Sequence, residues 1–193
     1  MLVTSRDFVR PRRSSASLFT ALPSSRDGTH LTDAALQVAV GLRLGLQVAT
    51  PGQCSCGAQL DARVDHALSC RQGVGRHARH RLVNACIKQG LADAGIVSVL
   101  EPPGTTLVDS KRPDGATVLP YDNGLSMAWD ATIIHTCAPS RVQVTAVKSG
   151  SGAAAAKIRK EAKYAPFSGR ILFRPVGIET LGAFGAPAVR RNS

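Results

Sequence analysis

The sequence predicts an α/β protein: a small mixed sheet flanked by helices and preceded by a compact module held by cysteine and histidine. Three observations predict it. Apolar residues recur at helical spacing before Gly95, with Val83, Ile87, Leu91 and Ala94 forming one stripe. β-Branched apolar runs then take over, from Ile96 to Leu100 and from Leu125 to Thr136, and Arg170 to Ile178 gives a last one. Three of the five cysteines, with one histidine, fall within the 17 residues from Cys54 to Cys70. The resulting order is helix, strands, helix, strand, with a core from about Arg76 to Leu181.

Each element follows from local chemistry. Residues 1–30 are rich in Ser, Arg, Pro and Gly and read as a basic arm, interrupted by the apolar island Leu18-Phe19-Thr20-Ala21-Leu22-Pro23. Residues 31–52 hold a helix and linker: Thr32 or Asp33 caps a helix to about Leu46, which Gly45 and the Thr50-Pro51-Gly52 turn stop. Residues 53–75 form the Cys/His module, with little helical or strand periodicity. Residues 76–182 form the core. Its first helix runs from about Arg76 to Ala94 and is stopped by Gly95. Strands follow at Ile96–Leu100, Thr105–Val108, Ala116–Leu119 and Leu125–Thr136. A flexible link at Ser149–Gly152 precedes an Ala/Lys-rich helix at Ala153–Tyr164. Pro175 marks the last strand as an edge or a bulge. Residues 183–193 are a loose tail.

The charge balance selects a partner class. In 193 residues, 24 Lys and Arg face 13 acids, a formal net charge of +11, so a polyanion is the first partner to consider. A hydrophobic fraction of 44% argues against wholesale disorder, and 4% aromatics argues against broad stacking platforms for single strands. No run approaches the roughly 18 apolar residues of a membrane span, so no membrane is expected. Met1 to Ser17 carries arginines without an apolar segment, which does not fit a secretory signal. Clustered cysteines in such an intracellular-looking chain read as metal ligands before they read as disulfides.

Cys54-x-Cys56 and His66-x3-Cys70 supply three thiolates and one imidazole, a closed tetrahedral set for a structural Zn2+. The bland alternative is a group of reduced cysteines beside a surface histidine. His77 and His80 are rival ligands, but they sit among arginines and read as part of a basic face. That face, Arg76, His77, Arg79, His80 and Arg81, crowds a helix start where cations oppose the helix dipole, and it holds no acid. An anion on this face is the better reading than solvation alone. Nucleic acid is the expected class of partner.

Three carboxylates stand out. Glu101 ends one strand, Asp114 lies in an Arg-Pro-Asp turn, and Asp130 interrupts the apolar strand around Trp129. A carboxylate inside an apolar strand is costly unless paired or bound to a cation. Converging at one sheet edge, two or three such groups would hold Mg2+, and a nearby lysine would orient water and offset phosphate charge. Taken singly, each has a plainer account: a turn residue at Asp114, a structural carboxylate at Asp130, and a solvated helix face for Lys157, Lys160 and Lys163.

The ordered set of Cys-x-Cys, His-x3-Cys, a basic helix, RPD, WDAT and Lys160-x-x-Lys163-Tyr164 resembles the C-terminal end of non-LTR retrotransposon polyproteins. There a CCHC zinc knuckle precedes a restriction-like endonuclease of the PD-(D/E)XK superfamily, downstream of a reverse transcriptase. The resemblance covers about Cys54 to Gly182. It implies a restriction-endonuclease-like core, with Pro113-Asp114 as the PD element and Asp130 as the second acidic ligand. The superfamily lysine would stand at position 132, where this chain has Thr132. In the retrotransposon branch it lies on the following helix, which implies Lys160 as the catalytic lysine, with Lys163, Lys157 and Lys148 as rivals. Glu101 matches an additional acid.

The expected function is therefore Mg2+-dependent nicking of DNA, in the nucleus, beside a reverse transcriptase carried by another protein or a longer parent. A catalytically inactive nucleic-acid-binding remnant of the same module is the alternative. A ribosomal or RNA-binding zinc protein is a third reading, and it leaves Asp130 unexplained.

Overall fold

The structure is a computed structural model and describes residues 24–25, 30–103, 112–167 and 169–185. The first helix, α1 (Asp33–Leu44), starts where Thr32 Oγ1 accepts the Ala35 N–H at 3.3 Å and ends at Gly45, whose φ of 71° suits a residue without a Cβ. The Cys/His module then holds a short antiparallel hairpin, β1 (Gly52–Gln53) with β2 (Gln59–Leu60), and a short helix, α2 (Asp65–Ser69). Neither is legible in the sequence, because elements of two to five residues are too short to show periodicity. The long helix α3 (Val74–Asp93) follows, two residues earlier at its start than expected.

Three strands come next: β3 (Ser98–Leu100), β4 (Gly115–Thr117) and β5 (Met127–Ile134). Two helices, α4 (Val142–Val147) and α5 (Ser151–Tyr164), lead to β6 (Leu172–Glu179). The strand expected at Thr105–Val108, like most of the basic arm, lies outside the described residues. The sheet order is β3-β4-β5-β6, antiparallel except for the parallel β5/β6 pair. This is a mixed α/β fold with a small mixed sheet flanked by helices. Pro175 pairs with Asp130 on β6, an edge strand, where a missing N–H costs nothing to a further neighbour.

Side-chain alternation along β5 divides the two faces. Trp129, 1% exposed, turns toward α3 and donates its indole N–H to Asn84 Oδ1 at 3.0 Å. Asp130 turns toward α5, as do Phe173, Gly177 and Glu179 on β6. Tyr164 stacks on Phe173 with ring centroids 4.0 Å apart. The buried Glu179 carboxylate accepts the Gly152 N–H at 2.9 Å and so satisfies a donor at the start of α5.

Further regions differ from the sequence expectation: the flexible link expected at Ser149–Gly152 contains the start of α5. The segment at α4 drew no helical reading, because its β-branched residues disfavour one; it is a helix secured by Thr145 Oγ1, which donates to the Thr136 carbonyl at 2.7 Å. The start of the expected loose tail is bound to the core: Ala183 accepts the Glu179 N–H at 2.8 Å, and Gly185 donates to the Gly177 carbonyl at 3.0 Å. Among the described residues no helix is long and apolar enough to cross a membrane.

The approach of α5 to β6 depends on Gly177, where a Cβ would stand 2.5 Å from the Ala153 carbonyl oxygen. Gly177→Ala is expected to destabilise the protein by about 1–3 kcal/mol through forced displacement of α5. The midpoint of urea unfolding measures it, with Gly90→Ala as the comparison, since a Cβ at Gly90 meets nothing within 4 Å.

Candidate metal centre and carboxylate cleft

The hairpin turn presents two thiols because Gly57, at φ 86°, lets the chain reverse immediately after Cys56. Its N–H donates to the Cys54 carbonyl at 2.9 Å. The other two ligands come from α2 and its end. Asp61 closes that helix's N-terminus, accepting the Asp65 and His66 N–H groups at 3.0 and 2.9 Å. Although desolvation acts against it, these two N–H donors hold the Asp61 carboxyl below its usual range.

The ligating atoms of Cys54, Cys56, His66 and Cys70 all lie within 4.8 Å of one another, a group that could hold a metal ion. Cys54 and Cys70 Sγ are 3.7 Å apart, and Cys56 Sγ is 3.2 Å from His66 Nε2. Two sulfurs bound at about 2.3 Å to a tetrahedral ion stand about 3.8 Å apart, so the sulfur spacing fits such an ion. The Cys54 thiol is lowered to about 6, chiefly by the backbone N–H of Cys56, with His66, Cys56 and Cys70 side chains assisting against desolvation. This shift favours the thiolate, the ligating form. The rival ligands His77 and His80 are not in this group.

Two contacts dock the module on the sheet. His135, at the end of β5, joins Asp65 Oδ1 at 3.0 Å through Nε2 and Thr180 Oγ1 at 3.1 Å through Nδ1. Arg79 on α3 donates to the Leu68 carbonyl at 3.1 Å, and burial lowers its pKa. The module thereby forms one wall of a cleft of about 720 Å³, whose other walls are α3, β5 and α5. Eight Lys or Arg side chains line it against two aspartates, Asp114 and Asp130.

Asp114 precedes β4, where Gly115 leaves room for Trp129: a Cβ there would stand 2.1 Å from the indole. Asp114 Oδ2 accepts the Ala131 N–H at 2.7 Å and meets His80 Nε2 at 2.9 Å. Asp130, whose side chain is 6% exposed, pairs through Oδ2 with Lys160 Nζ at 2.7 Å. The Tyr164 hydroxyl lies 3.3 Å from the same oxygen and 3.1 Å from the Arg112 carbonyl, so it ties the Arg-Pro-Asp turn to Asp130. Burial first, and then the charge of Asp130, push the Tyr164 pKa up, which keeps its hydroxyl neutral and a donor.

The sequence-predicted residues divide accordingly. Asp114, Asp130, Lys160 and Lys163 line one cleft, as do Arg76, His77, Arg79 and His80. Lys163 Nζ also sits 5.0 Å from the Tyr164 ring centroid. Arg81 is exposed on α3 and does not line the cleft. Glu101 does not line it either; its well-exposed carboxylate lies 3.4 Å from Arg112 Nη2. Reading Arg79 and His80 as one basic face missed that the first holds the Cys/His module and the second holds Asp114. Tyr164 was visible only as the end of the Lys-x-x-Lys-Tyr pattern. Arg141 and Arg159, also lining the cleft, carried no signal in the sequence.

The Asp130–Lys160 pair is expected to couple in stability. Lys160→Met leaves a nearly buried carboxylate without its cation and should cost about 2 kcal/mol, reduced from the value for a fully buried pair because Lys160 keeps some solvent. Asp130→Asn in the same chain should recover most of that loss. A double-mutant cycle by urea unfolding measures the coupling.

No protein-family model matches the chain, and no curated protein matches it.

Proposed function

We propose that this chain is a divalent-cation-dependent DNA endonuclease that nicks one strand by phosphodiester hydrolysis and carries a structural zinc knuckle. One observation carries the reading: Asp114, Asp130 and Lys160, from three separate segments, line one cleft together with seven further Lys and Arg side chains among the described residues. A nuclease has to gather carboxylates for a metal and cations for phosphates in one place. A solvated basic surface has no need of a nearly buried aspartate.

The four Cys/His ligands suit Zn2+, since three thiolates and an imidazole close a tetrahedron and leave no position for substrate. The two carboxylates suit Mg2+, which is commonly held by one or two carboxylates with the remaining positions taken by water and substrate phosphate. Bound there, the cation would activate a water and stabilise the charge that develops on the phosphate. The chain's own side chains do the rest. Lys160 fixes Asp130 and presents its ammonium to the same cleft, where it offsets phosphate charge. Tyr164 holds the Asp130 carboxylate against the Arg-Pro-Asp turn. Arg76, Arg141 and Arg159 line the cleft as phosphate contacts.

The order of knuckle, PD element, second aspartate and helix lysine supports descent from the restriction-like endonuclease of a non-LTR retrotransposon polyprotein. A DNA substrate and such an origin support action in the nucleus beside a reverse transcriptase, with element RNA as a second ligand. A binding module without cleavage is the second reading. The position of Glu101 outside the cleft favours it, because of the two or three carboxylates expected only two line the cleft among the described residues.

Zinc-loaded protein is expected to nick supercoiled plasmid with Mg2+ or Mn2+, and Asp114→Ala and Asp130→Ala, at equal zinc content, to lose that activity. A folded wild type that binds DNA without nicking it would establish the second reading. Arg76→Ala should retain the chemistry but weaken binding at all sequences, lowering the slope of log affinity against log salt by about 0.9. A filter-binding titration in Ca2+ across salt concentrations reads that slope.

A further inference from the structure

His80 stands on the helix opposite the lysine, and its ring is tied at both nitrogens. The direction of these hydrogen bonds is set by Trp129. An indole N–H can only donate, and it meets Asn84 Oδ1 at 3.0 Å. The Asn84 amide nitrogen therefore faces the other way, 3.4 Å from His80 Nδ1. An amide NH2 can only donate, so Nδ1 accepts and carries no proton. The proton of the neutral ring is on Nε2, which lies 2.9 Å from Asp114 Oδ2. Asn84 and Trp129 are buried, so bulk water does not compete for the bond between them, which sets the orientation of the Asn84 amide.

The same Oδ2 also accepts the Ala131 N–H at 2.7 Å. Two donors on one oxygen occupy its lone pairs and leave Oδ1 as the atom that can face a cation. Removing a side chain that orients a metal's ligand in this way typically costs about 10–100-fold in metal affinity or activity.

We propose that His80 is a positioning residue of the cleft: held in its Nε2–H form by Asn84 and Trp129, it turns the Asp114 carboxylate so that Oδ1 is presented to the divalent cation. The role in nicking rests on the endonuclease reading; the role in cation binding does not. His80 belongs to the carboxylate machinery, whereas its neighbour Arg76 belongs to the phosphate-binding surface.

The test compares zinc-loaded wild type, His80→Ala, His80→Gln and Arg76→Ala. The Gln side chain can place an N–H near the position of Nε2. Mn2+ binding in the absence of DNA is followed by electron paramagnetic resonance, and nicking by kcat and KM separately. His80→Ala is expected to weaken Mn2+ binding and lower kcat about tenfold or more, with DNA affinity in metal-free buffer unchanged. His80→Gln should recover much of both, and Arg76→Ala should weaken DNA binding in metal-free buffer, where His80→Ala does not. Long-range 15N–1H correlation spectra of the wild type should show His80 protonated on Nε2.

A His80→Ala protein with wild-type Mn2+ affinity and weakened DNA binding overturns the proposal and returns His80 to the phosphate surface. So does a His80→Gln protein no better than His80→Ala, or a ring protonated on Nδ1. A wild type that binds Mn2+ at this site yet nicks no plasmid overturns the endonuclease reading instead, and the Mn2+ affinities of the variants still decide the role of His80.

Discussion

Two consecutive residues of β5 carry opposite obligations, and the cleft depends on both. Trp129 has to bury an indole and satisfy its N–H; Asp130 has to bury a carboxylate and satisfy its charge. Because strand neighbours point to opposite faces, the first demand fixes α3 and the second fixes α5. Trp129 brings Asn84, and through it His80 and Asp114. Asp130 brings Lys160 and Tyr164. A one-residue slip of β5 against its neighbours would exchange these faces and separate every group from its partner.

The Cys/His module is more than an accessory to this arrangement. Asp65 stands beside the ligand His66 and joins His135 at the end of the same strand. Leu68, between the ligands His66 and Cys70, receives Arg79 from the helix that also carries His80. Metal binding and the cleft wall are thus separated by one or two residues of chain. An ion held by this cluster would be linked to the basic surface through α2.

Legibility in the sequence followed the range of the interactions. The cluster of Cys54, Cys56, His66 and Cys70 could be read because its members lie within 17 residues and need no distant partner. Asp130 could be read because a carboxylate in an apolar strand is anomalous by itself. Lys160 could be read only through its place in an ordered pattern, since nothing local separates it from Lys157 and Lys163 on one helix. His80 could not be read, because its neighbours in sequence are arginines while its partner, Asp114, lies on a distant strand. Glu101 was misplaced for the complementary reason: the end of β3 was known, but not that Arg112 would take its side chain. The hairpin in the module and the helix at α4 were too short for periodicity to mark either.

The parallel β5/β6 pair has a consequence for the order in which the protein assembles. Parallel strands need a long crossover, and here it includes α4 and α5, so pairing closes a loop of several tens of residues. The lysine rides on that crossover, and its position over Asp130 exists only once β6 is in place. The metal module and α3 close over far shorter stretches of chain. In a chain emerging from the ribosome the residues of the Cys/His module and α3 are therefore complete before those of the carboxylate cleft, and a truncation ahead of Leu172 removes the strand that closes the parallel pair.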